Sequence, residues 1–265
     1  MKVNQLFKYA FWGISLLASL TFSSCSKTGE KTGDDLGKME VVLTTSTAVE
    51  AVTKASTFEL PAGLIPTESD FNLTITGITN PSFSKSYDNL LAYNAELPWL
   101  DIADYSFKVT SGDPQEEGID KPCFEGEASP VTVHSRTSIV QPITATLANS
   151  IFSFEVTEWF KEYYSNASFV ILPSNGGMYS FNETSKPLVF VQPGSTLRIK
   201  GTATKISNGA RVKFPITNIT GVTTARTLST VVLDMEDAST MSVSVTFNET
   251  ITDLPVNEVE LNPQI

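Results

Sequence analysis

The sequence predicts an all-β protein of two tandem antiparallel β-sandwich domains, with one short helix in the second. Three features carry that expectation. Apolar and polar residues alternate with a period of two in many short runs, which sets one face of each run against a core and the other in water. Val, Thr and Phe, which suit a pleated and half-buried surface, dominate those runs. Gly, Pro and Asn clusters interrupt them at the spacing of strand-to-strand turns.

In chain order, Phe71, Leu73 and Ile75 alternate with Asn72, Thr74 and Thr76. Tyr105, Phe107 and Val109 do the same, as do Phe152, Phe154 and Val156, then Val212, Phe214 and Ile216, then Met241, Val243, Val245 and Phe247. Turns are expected at Gly112-Asp113-Pro114, Asn175-Gly176-Gly177, Pro193-Gly194 and Asn208-Gly209. The last lies between two alternating runs and is the strongest hairpin signal in the chain. Residues 158–164 break the period. There Trp159, Phe160, Tyr163 and Tyr164 fall on one side at one-turn spacing, opposite Lys161 and Glu162. Thr157 is placed to cap the start of this helix and Asn166 its end.

Roughly fourteen strands would make an unusually large single sandwich. The chain is therefore divided into an N-terminal sandwich over residues 38–135 and a C-terminal one over 136–265. Residues 131–147 read as strand nearly throughout, so a long strand or a tight link is expected to join the two and limit their relative motion.

The first 24 residues carry an address. Lys2 and Lys8 precede an apolar run from Phe11 to Leu20, and small residues Ser23-Ser24 lead to Cys25. That order is a lipoprotein signal peptide (1–24), whose removal leaves Cys25 as an acylated N-terminus. The run is too short for a permanent span, which needs about 20 apolar residues. Residues 25–37, rich in Ser, Lys, Thr, Gly and Asp, read as a flexible tether. The expected location is the outer membrane, lipid-anchored, on its periplasmic or cell-surface side. Formal charge is −11, and losing Lys2 and Lys8 brings the mature chain to −13. A charge of this sign argues against nucleic acid as a partner and leaves membrane attachment to the acyl chains.

With Cys25 acylated, Cys123 has no partner for a disulfide, so apolar cores must hold both domains. A nucleophilic Cys123 needs a base, and the single histidine is His134, which alternates onto a wet face beside Thr132. HExxH, CxxC, Gly-x-Ser-x-Gly and phosphate-binding Gly-rich patterns do not occur, so neither a catalytic centre nor a cofactor is expected. Asp113, Glu116, Glu117 and Asp120 crowd one loop; it is either a solvated acidic loop or a weak Ca²⁺ candidate without the EF-hand order. Trp99, Trp159, Tyr163 and Tyr164 either fill sandwich ends or form a sugar-stacking platform, in which Trp99 and Trp159 would touch glycan.

Several segments together resemble a known family. They are residues 71–76, Leu97-Pro98 leading into 105–112, Asp120 to Gly126, Val131-Thr132-Val133, and Ala148-Asn149 before an alternating strand and the short helix. On these the chain resembles the DUF4493 lipoproteins of Bacteroidetes, related in style to the fimbrillin-like surface proteins. The resemblance implies an exported, lipid-anchored protein of two β domains, a fimbrillin/transthyretin-like sandwich pair, and no activity; the function expected is a non-enzymatic adhesin or fimbrial-type (fimbrillin-like) subunit, with a glycan-binding surface lipoprotein using exposed aromatics as the alternative. Fimbrillin-like proteins join by strand addition after proteolysis near the N-terminus. The corresponding place here is Thr53-Lys54-Ala55, with Lys54 as the possible processing site where the family has Arg, and the strand removed would cover residues 40–45.

Overall fold

The structure is a computed structural model that describes residues 35–51, 58–235, 240–247, 250–257 and 259–260. Its first strands are β1 (Leu36–Ser46), β2 (Ala48–Ala51), β3 (Phe58–Glu59), β4 (Asn72–Gly77), β5 (Ser84–Tyr87), β6 (Trp99–Asp101), β7 (Asp104–Ser111), β8 (Gly118–Ile119), β9 (Phe124–Thr132) and β10 (Ser138–Leu147). A helix, α1 (Leu90–Glu96), precedes β6. The second half has β11 (Ser150–Val156), α2 (Glu158–Tyr163), β12 (Tyr164–Pro173), β13 (Tyr179–Asn182), β14 (Val189–Val191), β15 (Leu197–Lys205), β16 (Arg211–Ile219), β17 (Thr227–Met235), β18 (Thr240–Phe247), β19 (Thr250–Asn257) and β20 (Val259–Glu260).

Three sheets result. The first has the order β5-β4-β7-β9-β10-β1-β6. The second runs β19-β18-β17-β11-β14-β8, with β2 and β3 added beside β17. The third runs β13-β12-β15-β16-β20. The alternating runs bury the faces expected of them: Phe71, Leu73, Ile75, Phe107, Val109, Phe152, Phe154, Val212 and Phe214 are all within the cores. Most pairings are antiparallel. Three are parallel: β1 with β10, β11 with β17, and β17 with β2. Parallel neighbours need a long crossover. Between β1 and β10 that crossover is the rest of the first sheet, so the first strand of the unit lies beside its last.

The unit boundary differs from the sequence expectation at Ser135/Arg136. There the chain only turns, with Arg136 at φ 52°, and β10 goes back into the first sheet beside β1 and β9. The change of sheet falls at Ala148-Asn149, between β10 and β11. Alternation shows that residues 138–147 form a strand; it cannot show that their partner is a strand about a hundred residues earlier.

Nor are the two cores separate. Val49, Ile151 and Phe190 belong to the first core, while Phe152, Val189 and Val191 belong to the second. Neighbouring residues of β11 and β14 thus face different cores; β14 (Val-Phe-Val) is buried on two sides throughout, as is β11 over Ser150 to Phe152, while Glu155 further along β11 is exposed. Two short pieces cross between the units. β2 lies along β17 (Thr227 opposite Glu50), and β8 lies along β14 (Phe190 opposite Gly118).

The helix at 158–163 forms as expected, and Thr157 caps it by accepting the Phe160 N–H at 3.2 Å. Asn166 does not cap its end. It sits at φ 51° in a β-bulge of β12, where the register against β15 shifts between Ser165 and Ser168. Trp159 also leaves the packed side: Phe160 and Tyr164 are buried, but Trp159 is 44 % exposed. α1 is an additional helix in the first unit, capped by Asn89 accepting from Ala92 N–H and closed by Leu97 in the left-handed region. The Asn208-Gly209 hairpin joins β15 to β16, with Gly209 at φ 71° donating to the Lys205 carbonyl. One alternating residue departs: a bulge sets Pro215 and Ile216 opposite Lys200 alone, flips the phase, and leaves Ile216 55 % exposed.

Two stability measurements test this packing. Thr157→Ala removes the cap and the hydroxyl bond to Asp234 (2.6 Å), and chemical denaturation is expected to show a loss of about 1 kcal/mol. A Cβ on Gly201 would meet the Phe169 ring at 2.3 Å, so Gly201→Ala is expected to cost about 1–3 kcal/mol by the same assay.

Candidate functional site

The first strand is held in an unusual way. On one side β1 pairs with β10 over nine residues, from Lys38 opposite Ser138 to Ser46 opposite Thr146. On the other side β6 covers only Leu36 to Lys38. Past that point a sheet edge would present unpaired amide groups. The side-chain amide of Asn94, on α1, covers part of this edge. Its Oδ1 accepts the Val41 N–H at 3.0 Å and its Nδ2 donates to the Val41 carbonyl at 2.7 Å, as a neighbouring strand would. Tyr93, one residue earlier, donates its hydroxyl to the Met39 carbonyl at 2.8 Å. Burial pushes the Tyr93 hydroxyl well above its ordinary value, so it stays a donor. Met39 and Val41 send their side chains into the first core. β1 is therefore a distal strand seated in a groove made by β10, β6 and α1.

Sequence reasoning anticipated a removable strand near residues 40–45 but not its clamp. An Asn in the middle of a short helix, one turn after the Asn89 cap, is a poor helix former; that misfit was the available signal. The residues on either side of the strand's removal point lie outside the described structure: Lys54 does, and so does Cys25.

In the acidic loop Asp113, Glu116 and Asp120 are exposed, whereas Glu117 has a role neither reading foresaw. Glu117 Oε1 accepts the Gln192 N–H at 2.7 Å and the Asn175 amide at 2.8 Å, so it ties the first unit to the second. Glu116 pairs with Lys121 at 2.9 Å, and Asp113 accepts the Gln115 N–H within its own turn at 2.8 Å. Asp120 stands at φ 54° beside β8. Among the described residues no three acids, histidines or cysteines gather as metal ligands would. Of the four acids, Asp113 holds its own turn and Glu117 ties the loop to the second unit.

Cys123 is fully buried, its N–H bonded to Asn149 Oδ1 and its carbonyl accepting the Ala148 N–H. Burial pushes its thiol up to about 11, with the Glu125 and Asp113 charges adding to the shift. His134 is exposed past the opposite end of β9, nine residues of strand or roughly 30 Å away. The pair cannot act together. Trp99 is 56 % exposed on β6, with the Lys38 ammonium 4.7 Å from its ring centre. Trp159 is exposed on α2 in the other unit, 6.5 Å between ring centres from Tyr163. Neither fills a core, and they do not form one platform.

The raised Cys123 pKa has a consequence for pH. The thiol is neutral in the folded chain to a higher pH than in the unfolded chain, so the stability it contributes is complete below pH 9 and fades between 9 and about 11. Alkylation by iodoacetamide at pH 8 is expected to be negligible in buffer and rapid in denaturant; fast labelling of the folded protein contradicts the burial.

One solved structure of a known protein agrees with this architecture, and a second is more loosely similar. A fimbrial assembly protein from Parabacteroides distasonis superposes with a TM-score of 0.50 over 83 % of this chain and 100 % of its own, at 7 % identity. A candidate polysaccharide-binding protein from Bacteroides thetaiotaomicron gives 0.42 over 82 % and 98 %, at 10 % identity. At such identities the likeness speaks to fold alone. No curated protein matches the sequence. The family model for DUF4493, a domain of unknown function, matches residues 35–262, and the chain belongs to that family.

Proposed function

We propose that this chain is a non-enzymatic cell-surface subunit of the adhesin or fimbrial type. It is anchored in the outer membrane through lipidated Cys25 and joins its neighbours by strand addition. The observation that carries the reading is the seat of β1. The strand is bound by backbone pairing on one long edge, by the Asn94 amide and Tyr93 hydroxyl on the other, and by alternating Met39 and Val41 below. Cutting the chain at Lys54 would separate β1 and β2 from the rest. Their departure leaves the β10 edge, Asn94 and Tyr93 unpaired in a groove lined by apolar core, which an incoming strand with alternating apolar residues satisfies. The buried Cys123 and distant His134 support the absence of catalysis.

A second reading, glycan contact through exposed aromatics, is favoured by the exposure of Trp99 and Trp159. It predicts retention on a neutral polysaccharide gel that falls in Trp99→Ala and Trp159→Ala.

Three measurements test the main reading. A chain beginning at residue 55 is expected to capture a labelled peptide of residues 36–46, and Asn94→Leu is expected to weaken capture about tenfold, the worth of one lost pair of buried hydrogen bonds. A folded chain that ignores the peptide overturns strand addition. Ladders in SDS-treated, unboiled outer membranes are expected from cells expressing the protein. Labelled palmitate is expected in the natural protein and absent from Cys25→Ala.

A further inference from the structure

The net charge of this protein hides a division of sign. Residues 35–135 hold 16 Asp and Glu against 5 Lys, a balance of −11. Of the third sheet, the strands β12, β13, β15 and β16 hold Arg198, Lys200, Lys205, Arg211 and Lys213 and not one Asp or Glu, and the two-residue edge strand β20 adds one acid, Glu260, in register with Val212 rather than with a cation. Alternation directs four of these cations to the same side. Leu197, Ile199, Val212 and Phe214 are buried in the second core, so Arg198, Lys200, Arg211 and Lys213 stand on the opposite, outer face of the third sheet. None of the four makes an ion pair with a described residue. Register sets them in a band. Arg198 lies opposite Asn218 and Thr204 opposite Arg211, so the cations extend over seven residues of β15, about 20 Å.

The same face has a shallow groove of about 590 Å³ lined by Ser168, Val170, Lys200, Thr202, Lys213 and Ile216. The bulge at Pro215-Ile216 shapes it, because the phase flip turns Ile216 from the core onto the outer surface. Cations, hydroxyls and a small apolar floor thus meet in an open trough.

We propose that this face binds an acidic polysaccharide, a chain of sugars bearing repeated carboxylate or sulfate groups. Charge complementarity points to an anion, and the length and openness of the band point to an extended polymer with repeated charges. A small anion would be better held in an enclosed pocket. A protein partner fits less well, since lysine is depleted from the buried centres of protein interfaces and no large apolar patch lies here. Single-stranded nucleic acid would want aromatic stacking surfaces, and these strands send no aromatic side chain outward with the cations. The acids of the first unit do not cancel the band, because charges more than about 8 Å apart are largely screened at physiological salt. The proposal is separate from strand addition and from the exposed tryptophans, which lie elsewhere.

The test uses the full chain with polygalacturonate and chondroitin sulfate as carboxylate and sulfate probes, dextran as the neutral probe and phosphatidylglycerol vesicles as an anionic surface. The natural protein is expected to bind at least one acidic polysaccharide, more weakly as salt rises, and not dextran. Lys200→Glu with Lys213→Glu is expected to lower the affinity at least about tenfold. Lys85→Glu with Lys121→Glu changes net charge equally and is expected to leave it unchanged, as is Trp99→Ala with Trp159→Ala. If the Glu pair does not fold, as judged by its melting curve, the Gln pair at the same positions is read instead. Binding to neither polysaccharide, equal loss in both charge-reversed pairs, or binding to vesicles alone overturns the proposal.

Discussion

Strand β14 and the first half of β11, Ser150 to Phe152, are buried on both faces, and the rest of the molecule is arranged around that burial. Ile151 and Phe190 belong to the first core, while Phe152, Val189 and Val191 belong to the second. A strand with two dry faces cannot alternate apolar with polar residues. Its backbone groups must all be paired within the sheet, because water does not reach them. β17 on one side and β8 on the other complete that pairing. The unit behind β8 is the acidic loop, whose Glu117 accepts two bonds from the far side. The two halves are thus one continuous packing problem, and a change at either core is felt by the strands they share.

The same junction accounts for the position of the first strand. β1 and β2 are nearly continuous in sequence, yet β1 lies in the first sheet and β2 lies beside β17 in the second. One short stretch near the N-terminus therefore spans both units. Taking it away opens an edge in each and leaves the short strands β6 and β3 without their strand partner, while the longer strands keep a partner. The Asn94 and Tyr93 bonds hold it in place at modest cost, since side chains cover a backbone edge less completely than a neighbouring strand would. A strand seated so is separable without dismantling the core around it, apart from the Met39 and Val41 positions it fills.

Much of the architecture was legible in the chain. Phe71-Leu73-Ile75, Tyr105-Phe107-Val109 and Phe152-Phe154-Val156 are strands with the expected faces buried, because a period of two is a local property of the backbone. Thr157 caps its helix and Gly209 turns its hairpin for equally local reasons. The departures share a cause. Residues 138–147 look like any strand, but their partner is β1. Pro215-Ile216 continues an alternating run, but the bulge that flips it shows only in the pairing of β16 with β15, opposite Lys200. Among the candidate residues, the acids of the 113–120 loop were conspicuous by crowding, yet the role of Glu117 is decided by Gln192 and Asn175, which are distant in sequence.

What the sequence determined alone was the conformation of its strongly periodic segments: which of them extend, where the 158–163 helix starts, where the Asn208-Gly209 hairpin turns, and which side of most runs is apolar. Pairing, the place where one unit ends, the clamp on β1 and the gathering of four cations on one sheet face belong to the tertiary structure. These depend on contacts between residues tens to hundreds of positions apart, and side-chain periodicity carries no information about which strand will lie next to which.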